Sequence, residues 1–390
     1  MESLRDKIAI IGMGRTRTGE LWDMEPRDMV VDACTEAFAD AGIDPKEIQA
    51  ATFGSAFAGG PTTLAGALKL DLVPVTRIEN ACATGGDTFR MACSLVASGM
   101  YDIVLAVGMD KQKDSGSTGQ HSSAGPGTHV RPPSPPPAAF APFAVRYAHH
   151  YGLPLDELRR SLARIAVKNH RNGALNPKAM YQKEVTLQQV LDAPYIAYPL
   201  GILDCCGVGD GAAAAIITRP DIAKHFRDDY VVLKALGATT GYERGHLVNH
   251  DAVHFDENVR CAQITYPQMG IKDPMKEISM AEVHDAFTIV ELVSLEDLGL
   301  APRGQGHRLV WDGLYDLEGA IPVNTDGGLK CNGHPIGATG VLQIYETYKQ
   351  CQGKAGPRQV KNMRLAMAHN QGGFGAQGVS CTIALFSPRD

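Results

Sequence analysis

Four short segments carry side chains able to do nucleophilic and acid–base chemistry. Cys82 lies in Glu79-Asn80-Ala81-Cys82-Ala83-Thr84-Gly85-Gly86, between strand-like residues 75–78 and a helical stretch over 88–97. A cysteine at such a turn meets the unpaired N–H groups and partial positive charge of a helix N-terminus. Both favour thiolate, so the pattern predicts a thiol pKa below about 8.5. The backbone N–H at the turn can hold a developing oxyanion, and the glycines let a ligand approach the backbone closely. The same residues also read as a buried cysteine at the start of a core helix. His334, in Asn332-Gly333-His334-Pro335-Ile336-Gly337-Ala338-Thr339-Gly340, sits on a backbone constrained by Gly and Pro just before a helix. That placement suits a general base for a thiol. His284, in His284-Asp285-Ala286-Phe287, can donate to an oxyanion or hold a water against one. His369 opens His369-Asn370-Gln371-Gly372-Gly373, where the glycines offer backbone N–H groups. Taken singly, each histidine also reads as a packed or turn residue.

These residues need a scaffold, and the chain suggests a duplicated one. Residues 42–48 (Gly-Ile-Asp-Pro-Lys-Glu-Ile) resemble 270–278 (Gly-Ile-Lys-Asp-Pro-Met-Lys-Glu-Ile), and each precedes a short strand-like segment. Cys82-Ala83-Thr84-Gly85-Gly86 and Gly337-Ala338-Thr339-Gly340-Val341 each open a helix, and 210–217 resembles 378–385 as the last strand of a half. Several matches in one order predict two β-α-β-α-β-β units, sheets covered by helices. Residues 112–145, rich in Gly, Ser, His and Pro, read as a solvent-exposed linker, and roughly 116–203 as an insertion covering the ligand. The proline-rich run 131–137 is expected at the pocket entrance.

Composition narrows the function. The 390 residues exceed what one core usually holds, and 44% hydrophobic with 21% charged is ordinary for a globular α/β protein. A net charge of −6 with no basic stretch argues against nucleic acid and against a polybasic membrane patch. No apolar run approaches a membrane span, and no signal, peroxisomal or lipidation motif is evident, so a cytoplasmic location is expected. Nine scattered cysteines without a C-x-x-C pair fit a reducing compartment and give no structural zinc site, so no metal is expected.

Together the four segments, in this order, resemble the thiolases, and with Asp210-Gly211-Ala212-Ala213 and Val167-Lys168-Asn169-His170-Arg171-Asn172-Gly173 they resemble the archaeal and sterol-carrier-protein-type branch. The resemblance covers essentially the whole chain. It implies a duplicated five-layer αβαβα fold with an inserted loop subdomain. Its halves would span 1–115 plus 204–225 and 226–390, with 116–203 as the insertion. It implies an acetyl-CoA C-acyltransferase in which His334 deprotonates Cys82. The thiolate attacks the 3-oxo carbon of a 3-oxoacyl-CoA, an acetyl-CoA-type enolate leaves, and the acyl group passes to CoA; the reverse is Claisen condensation. One oxyanion hole falls to His284 with a water or His334, the other to the N–H groups of Cys82 and of Gly372 and Gly373. No cofactor is bound; coenzyme A is a substrate. The substrate is acetoacetyl-CoA or a bulkier branched or aromatic ester such as a benzoylsuccinyl-CoA. A homodimer or dimer of dimers is implied, with a small zinc-ribbon/OB-fold partner protein as in other members of that branch.

The chain departs from the family in one respect. Many thiolases place a second reactive cysteine where this sequence has His369, and sterol-carrier-type enzymes place it where this one has Ala286. His369, whose type suits proton transfer near neutrality, is favoured as the second acid/base over Cys331. Other outcomes are an acyltransferase to a non-CoA acceptor, a retro-aldolase acting on a CoA thioester, or a non-catalytic scaffold subunit. The presence of both Cys82 and His334 favours acyl transfer.

Overall fold

The structure, a computed structural model, describes residues 3–115, 136–241, 251–373 and 379–389. The N-terminal half runs β1 (Ala9–Arg15), α1 (Pro26–Ala41), β2 (Ala50–Gly54), α2 (Pro61–Leu68), β3 (Val75–Ile78), α3 (Thr84–Ala97) and β4 (Val104–Asp110). The intervening segment forms α4 (Pro136–His150), α5 (Leu155–Ala174), α6 (Leu187–Leu191) and the small ladder β5 (Tyr195–Ala197) with β6 (Leu200–Gly201). After β7 (Gly211–Thr218) and α7 (Pro220–Ala223) come β8 (Val231–Thr240), α8 (Asp256–Thr265), α9 (Pro274–Glu277) and β9 (Met280–Glu282). The chain ends with α10 (Thr288–Asp297), α11 (Gly306–Trp311), α12 (Gly328–Asn332), α13 (Ile336–Cys351), β10 (Ala366–Gly373) and β11 (Val379–Pro388).

The strand order β3-β2-β4-β7-β1-β8-β11-β10-β9 reads as a duplication. Outward from the β1–β8 junction, β1, β7, β4 and β2 on one side match β8, β11, β10 and β9 on the other. In both halves only the pairs farthest from the junction are parallel: β2 with β4 and β3, and β9 with β10. The halves meet through a short antiparallel register, Ala9 opposite Val232 and Ile10 opposite Val231. The expected four-strand unit holds for the C-terminal half; the N-terminal half adds β3 at its edge.

Side-chain alternation along the strands sets the layers. Ala9, Ile11, Leu105, Val107, Ala212 and Ala214 face α1, packing on Met29, Ala33 and Ala37. Their neighbours Ile10, Val104, Ala106, Ala213 and Ala215 face the opposite way, onto Phe89 and Cys93 of α3 and Val341 and Ile344 of α13. The same central helices meet Ala366, Ala368 and Phe386 of the second set of strands. The other face of those strands (Met367, Ile383, Leu385) packs outward with Cys261 of α8 and Val290 of α10. Helix, sheet, helix, sheet, helix is the five-layer arrangement expected, with α3 and α13 sandwiched in the middle. Their first turns approach closely. A Cβ on Gly340 would lie 2.1 Å from the Gly86 nitrogen, so only glycine fits there.

The inserted helices build the outer core of the C-terminal half. Phe140, Phe143, Tyr147, Leu158 and Ile165 share one cluster with Phe255, Phe287 and Leu292. A buried polar seam fixes α5: Lys168 pairs with Glu291 at 2.9 Å, and the Asn169 amide donates to Asp285 at 2.8 Å and Glu291 at 2.7 Å. The linker reading of 112–145 is corrected at its end, because 136–145 is helical. Pro136 and Pro137 open α4, where the missing N–H costs nothing. The rest of the proline run, 131–135, lies outside the described residues. Among the described residues no helix is long and apolar enough to cross a membrane.

Candidate active site

The turn before α3 is held in a shape an alanine seldom takes. Ala81 has φ +47°, in the left-handed region that costs a non-glycine residue about 1–2 kcal/mol. Thr84 braces it: its hydroxyl donates to Ala81 O at 2.6 Å and accepts from the Asn80 N–H at 2.8 Å. Cys82 is thereby raised out of helical geometry at the head of α3, partly exposed. The backbone N–H groups of Gly373 and of Cys82 itself favour the thiolate electrostatically. Strand β10 comes close enough for this because residue 372 is glycine; a Cβ there would lie 2.2 Å from the Ala83 nitrogen.

His334 is fixed at both its backbone and its ring. Its N–H donates to Gly207 O at 2.9 Å, and its carbonyl accepts from the Gln112 side chain at 2.7 Å. Asp110, at the end of β4, accepts the Gly337 N–H and so caps α13 from the opposite half. His334 Nδ1 lies 2.6 Å from the Thr339 hydroxyl, which itself donates to Pro335 O at 3.1 Å. With its proton committed to Pro335, Thr339 can only accept from the ring. His334 is therefore protonated at Nδ1 and keeps a lone pair on Nε2, which is buried without a partner.

His284 takes the opposite tautomer, and Asn370 enforces it. The Asn370 oxygen accepts the Gly86 N–H at 3.0 Å, which fixes the amide orientation. Its nitrogen then donates to Cys82 O at 3.0 Å and faces His284 Nδ1 at 3.4 Å. Nδ1 accepts, so His284 carries its proton on Nε2 and is a donor. The two imidazoles stand edge to face, centroids 5.3 Å apart, and the ligating atoms of Cys82, His284 and His334 lie within 4.8 Å of one another. Three such atoms fall short of a closed four-ligand structural metal site.

Electrostatics make this a neutral set. Burial pushes the Cys82 thiol up to about 12; the Gly373 N–H opposes the rise and nearby Asp110 adds to it. The expectation of a lowered thiol pKa is thus corrected: desolvation outweighs the N–H groups at the turn. Burial holds His334 down at about 3. His284 also lies well below the usual histidine range, through burial and then the fields of His334 and His369. At neutral pH the site holds a thiol, a base and a donor, with no preformed ion pair.

The remaining candidates divide. Gly372 and Gly373 lie against the Cys82 turn. His369 reaches the site with both ring nitrogens engaged: Nε2 on Asn258 Oδ1 at 3.1 Å, Nδ1 accepting the His284 N–H at 3.4 Å. That geometry weighs against the proton-transfer role expected of it. Cys331 is buried with its thiol on Asn169 O at 3.3 Å and its pKa pushed up to about 12, and it lines neither cavity described below. Asn370, Thr339, Asn258 and Asp110 were not singled out from the sequence. The repeated Ala-Thr-Gly of 83–85 and 338–340 was the available signal for Thr339; nothing local marked Asn258.

A narrow pocket lined by Cys82, His284, Ala286, Phe287 and Gly373 adjoins a larger cavity of about 560 Å³. Pro136 and Phe287 line both, so the inserted segment forms part of the wall, and Gly207 of the larger cavity holds His334.

Comparison with known proteins agrees with this architecture. The thiolase N-terminal domain matches residues 8–131, and a thiolase C-terminal domain-like family matches 241–384. An acetyl-CoA acetyltransferase of Methanothermobacter thermautotrophicus is 36% identical over 98% of this chain and all of its own. The benzoylsuccinyl-CoA thiolase subunit BbsB of Thauera aromatica is 30% identical, covering 95% of this chain and 96% of its own. Among solved structures, an Ltp2-ChsH2(DUF35) aldolase superposes with a TM-score of 0.82 at 24% identity, covering 98% of each chain, a likeness of fold.

Proposed function

This chain belongs to the thiolase family, and from that premise we propose that it is a CoA-dependent acyltransferase that cleaves a 3-oxoacyl-CoA, or forms one in reverse, through an acyl-Cys82 intermediate. The observation that carries the reading is the hydrogen-bond geometry beside Cys82: His334 Nδ1 on the Thr339 hydroxyl with Nε2 left without a partner, and His284 Nδ1 against the Asn370 amide nitrogen. His334 Nε2 takes the thiol proton as sulfur attacks the 3-oxo carbon. The oxygen becomes an oxyanion against the N–H groups of Cys82 and Gly373. The bond between the 2- and 3-carbons breaks, the electron pair leaves as a thioester enolate, and the His284 Nε2–H stabilises its oxygen. The proton held by His334 moves to the enolate carbon, giving the shorter CoA ester and acyl-Cys82. CoA thiol, deprotonated by the same imidazole, then takes the acyl group.

In this scheme one base carries the proton through both half-reactions. We assign His369 the role of a positioning residue, holding the backbone of His284, and give Cys331 no catalytic part. A homodimer is supported by β3, an open sheet edge immediately before the Cys82 turn. Nine free cysteines support a reducing, cytoplasmic setting. The small zinc-ribbon/OB-fold partner remains part of the proposal, and the assay is to be run with and without it. Purified chain is incubated with acetoacetyl-CoA and longer 3-oxoacyl-CoA esters, and the acyl-CoA products are separated. Product formation that needs both free CoA and Cys82 is expected. Cleavage of a 3-oxoacyl-CoA without CoA in the Cys82→Ala variant would mean hydrolysis by water instead, and release of a ketone or aldehyde from a 3-hydroxyacyl-CoA would mean aldol-type chemistry.

A further inference from the structure

The larger cavity is lined by a lysine with no ion-pair partner among the described residues. Lys330, on α12, is 2% exposed and lines it. Among the described residues no carboxylate or other hydrogen-bond acceptor reaches its Nζ; its recorded contact is the face of Tyr181, 5.8 Å from the ring centroid. Asp285, which accepts the Lys330 backbone N–H, spends its oxygens on that group, on the Leu329 N–H and on Asn169. The other lysine of the cavity, Lys113, is paired with Glu20 at 2.7 Å. His170 donates from Nδ1 to Lys183 O at 2.9 Å, leaving Nε2 without a partner; burial and the field of Lys330 hold its pKa at about 4, so it is neutral. Residues 116–135, which lead to Pro136 at the cavity wall, include no Asp or Glu.

An isolated buried charge is costly unless a ligand pairs with it. The rest of the lining is suited to a carbon chain: Ile196, Ile202, Leu203, Val208 and Phe287. The cavity also adjoins the Cys82 pocket, Phe287 and Pro136 lining both. A chain joined to Cys82 can therefore extend along apolar walls toward Lys330. The phosphates of CoA are multiply charged and strongly hydrated, and a single nearly inaccessible lysine fits them poorly.

We propose that the acyl group of the substrate carries a carboxylate remote from the 3-oxo carbon, and that Lys330 is the specificity-determining residue that pairs with it. The substrate class is then a 3-oxo dicarboxylic acyl-CoA. The inference rests on the thiolase reading for which bond breaks, but not for what binds.

Binding is measured by calorimetry in full-length Cys82→Ala, which cannot turn over. The probes are 3-oxoadipyl-CoA, its terminal methyl ester, and CoA alone. The acid is expected to bind about 30-fold more tightly than the ester, as for a buried hydrogen-bonded charge pair. Adding Lys330→Met should bring the ratio close to one, and Lys330→Arg should restore most of it. A ratio near one without any change at Lys330 overturns the proposal, whether or not the Lys330 variants fold. So does an equal weakening of acid, ester and CoA by Lys330→Met, which would assign Lys330 to the CoA phosphates. If the acid binds tightly and selectively but wild type forms no acyl-Cys82, the reaction proposed above fails while this inference stands.

Discussion

The first turn of α3 and the first turn of α13 are corresponding places in the two halves, both opened by an Ala-Thr-Gly run, and they do different work. In the first, Thr84 spends its hydroxyl on the backbone of Asn80 and Ala81, holding the left-handed residue that presents Cys82. In the second, Thr339 spends its hydroxyl on His334, fixing which ring nitrogen keeps a lone pair. The same side chain braces a backbone in one half and sets a tautomer in the other. Duplication supplied two helix N-termini facing each other across Gly85, Gly86 and Gly340; in the proposed reaction, the small differences before each helix make one the nucleophile's turn and the other the base's.

The comparison can be broken at several points. His334→Asn removes the base while keeping a polar side chain, and kcat is expected to fall about 10²–10⁴-fold with the fold intact. His284→Ala removes the enolate donor, with an expected loss of about 10²–10³-fold in kcat and little change in substrate binding. Both are read by steady-state kinetics beside a circular dichroism check, and a loss confined to KM would contradict the assigned roles. The two threonines give the sharper contrast. Thr339→Val should cost about tenfold in kcat, within the range for losing one hydrogen bond at a catalytic group. Thr84→Val should appear mainly in denaturant unfolding, at about 1–3 kcal/mol, because it strands a backbone N–H and a carbonyl. If the two variants behave alike, the division of labour drawn here is wrong.

The smallest expected effect is in the pH dependence of turnover. With Cys82 near 12 and His334 near 3, neither group changes charge between pH 5 and 9. Lowering the pH from 7 to 5 leaves His334 in its basic form, so no acid limb from it should enter kcat/KM in that range. The rate of Cys82 alkylation by iodoacetamide should rise about tenfold per pH unit to pH 9 without a plateau, since the reactive thiolate remains a minor species throughout. A plateau below pH 8 would restore the low-pKa thiolate expected from the helix terminus.

Much of this was legible in the chain. Cys82, His284 and His334 stand in segments whose residue types state their chemistry, and the paired Ala-Thr-Gly runs announced two similar units. What local sequence could not carry was the balance between burial and dipole. The N–H groups around Cys82 are visible in Gly-Gly and turn patterns, but the pocket it shares with Phe140, Phe287 and Val290 is built from residues distant in sequence. His369 reads as an acid/base because histidine titrates near neutrality; the positioning role proposed for it rests on Asn258 and the His284 backbone, which engage both nitrogens. Asn370 was adjacent to a flagged residue, yet its work depends on Gly86 and Cys82, far away along the chain. Lys330 carried no local sign that it would be buried unpaired.

The most direct test of the account is the mass of the intact protein after brief exposure to a 3-oxoacyl-CoA in the absence of free CoA. Wild type should gain one acyl group, the Cys82→Ser variant none, and free CoA should then discharge the adduct. Turnover that requires CoA but never leaves an acyl mass on Cys82, even with rapid quenching at low pH, would contradict it.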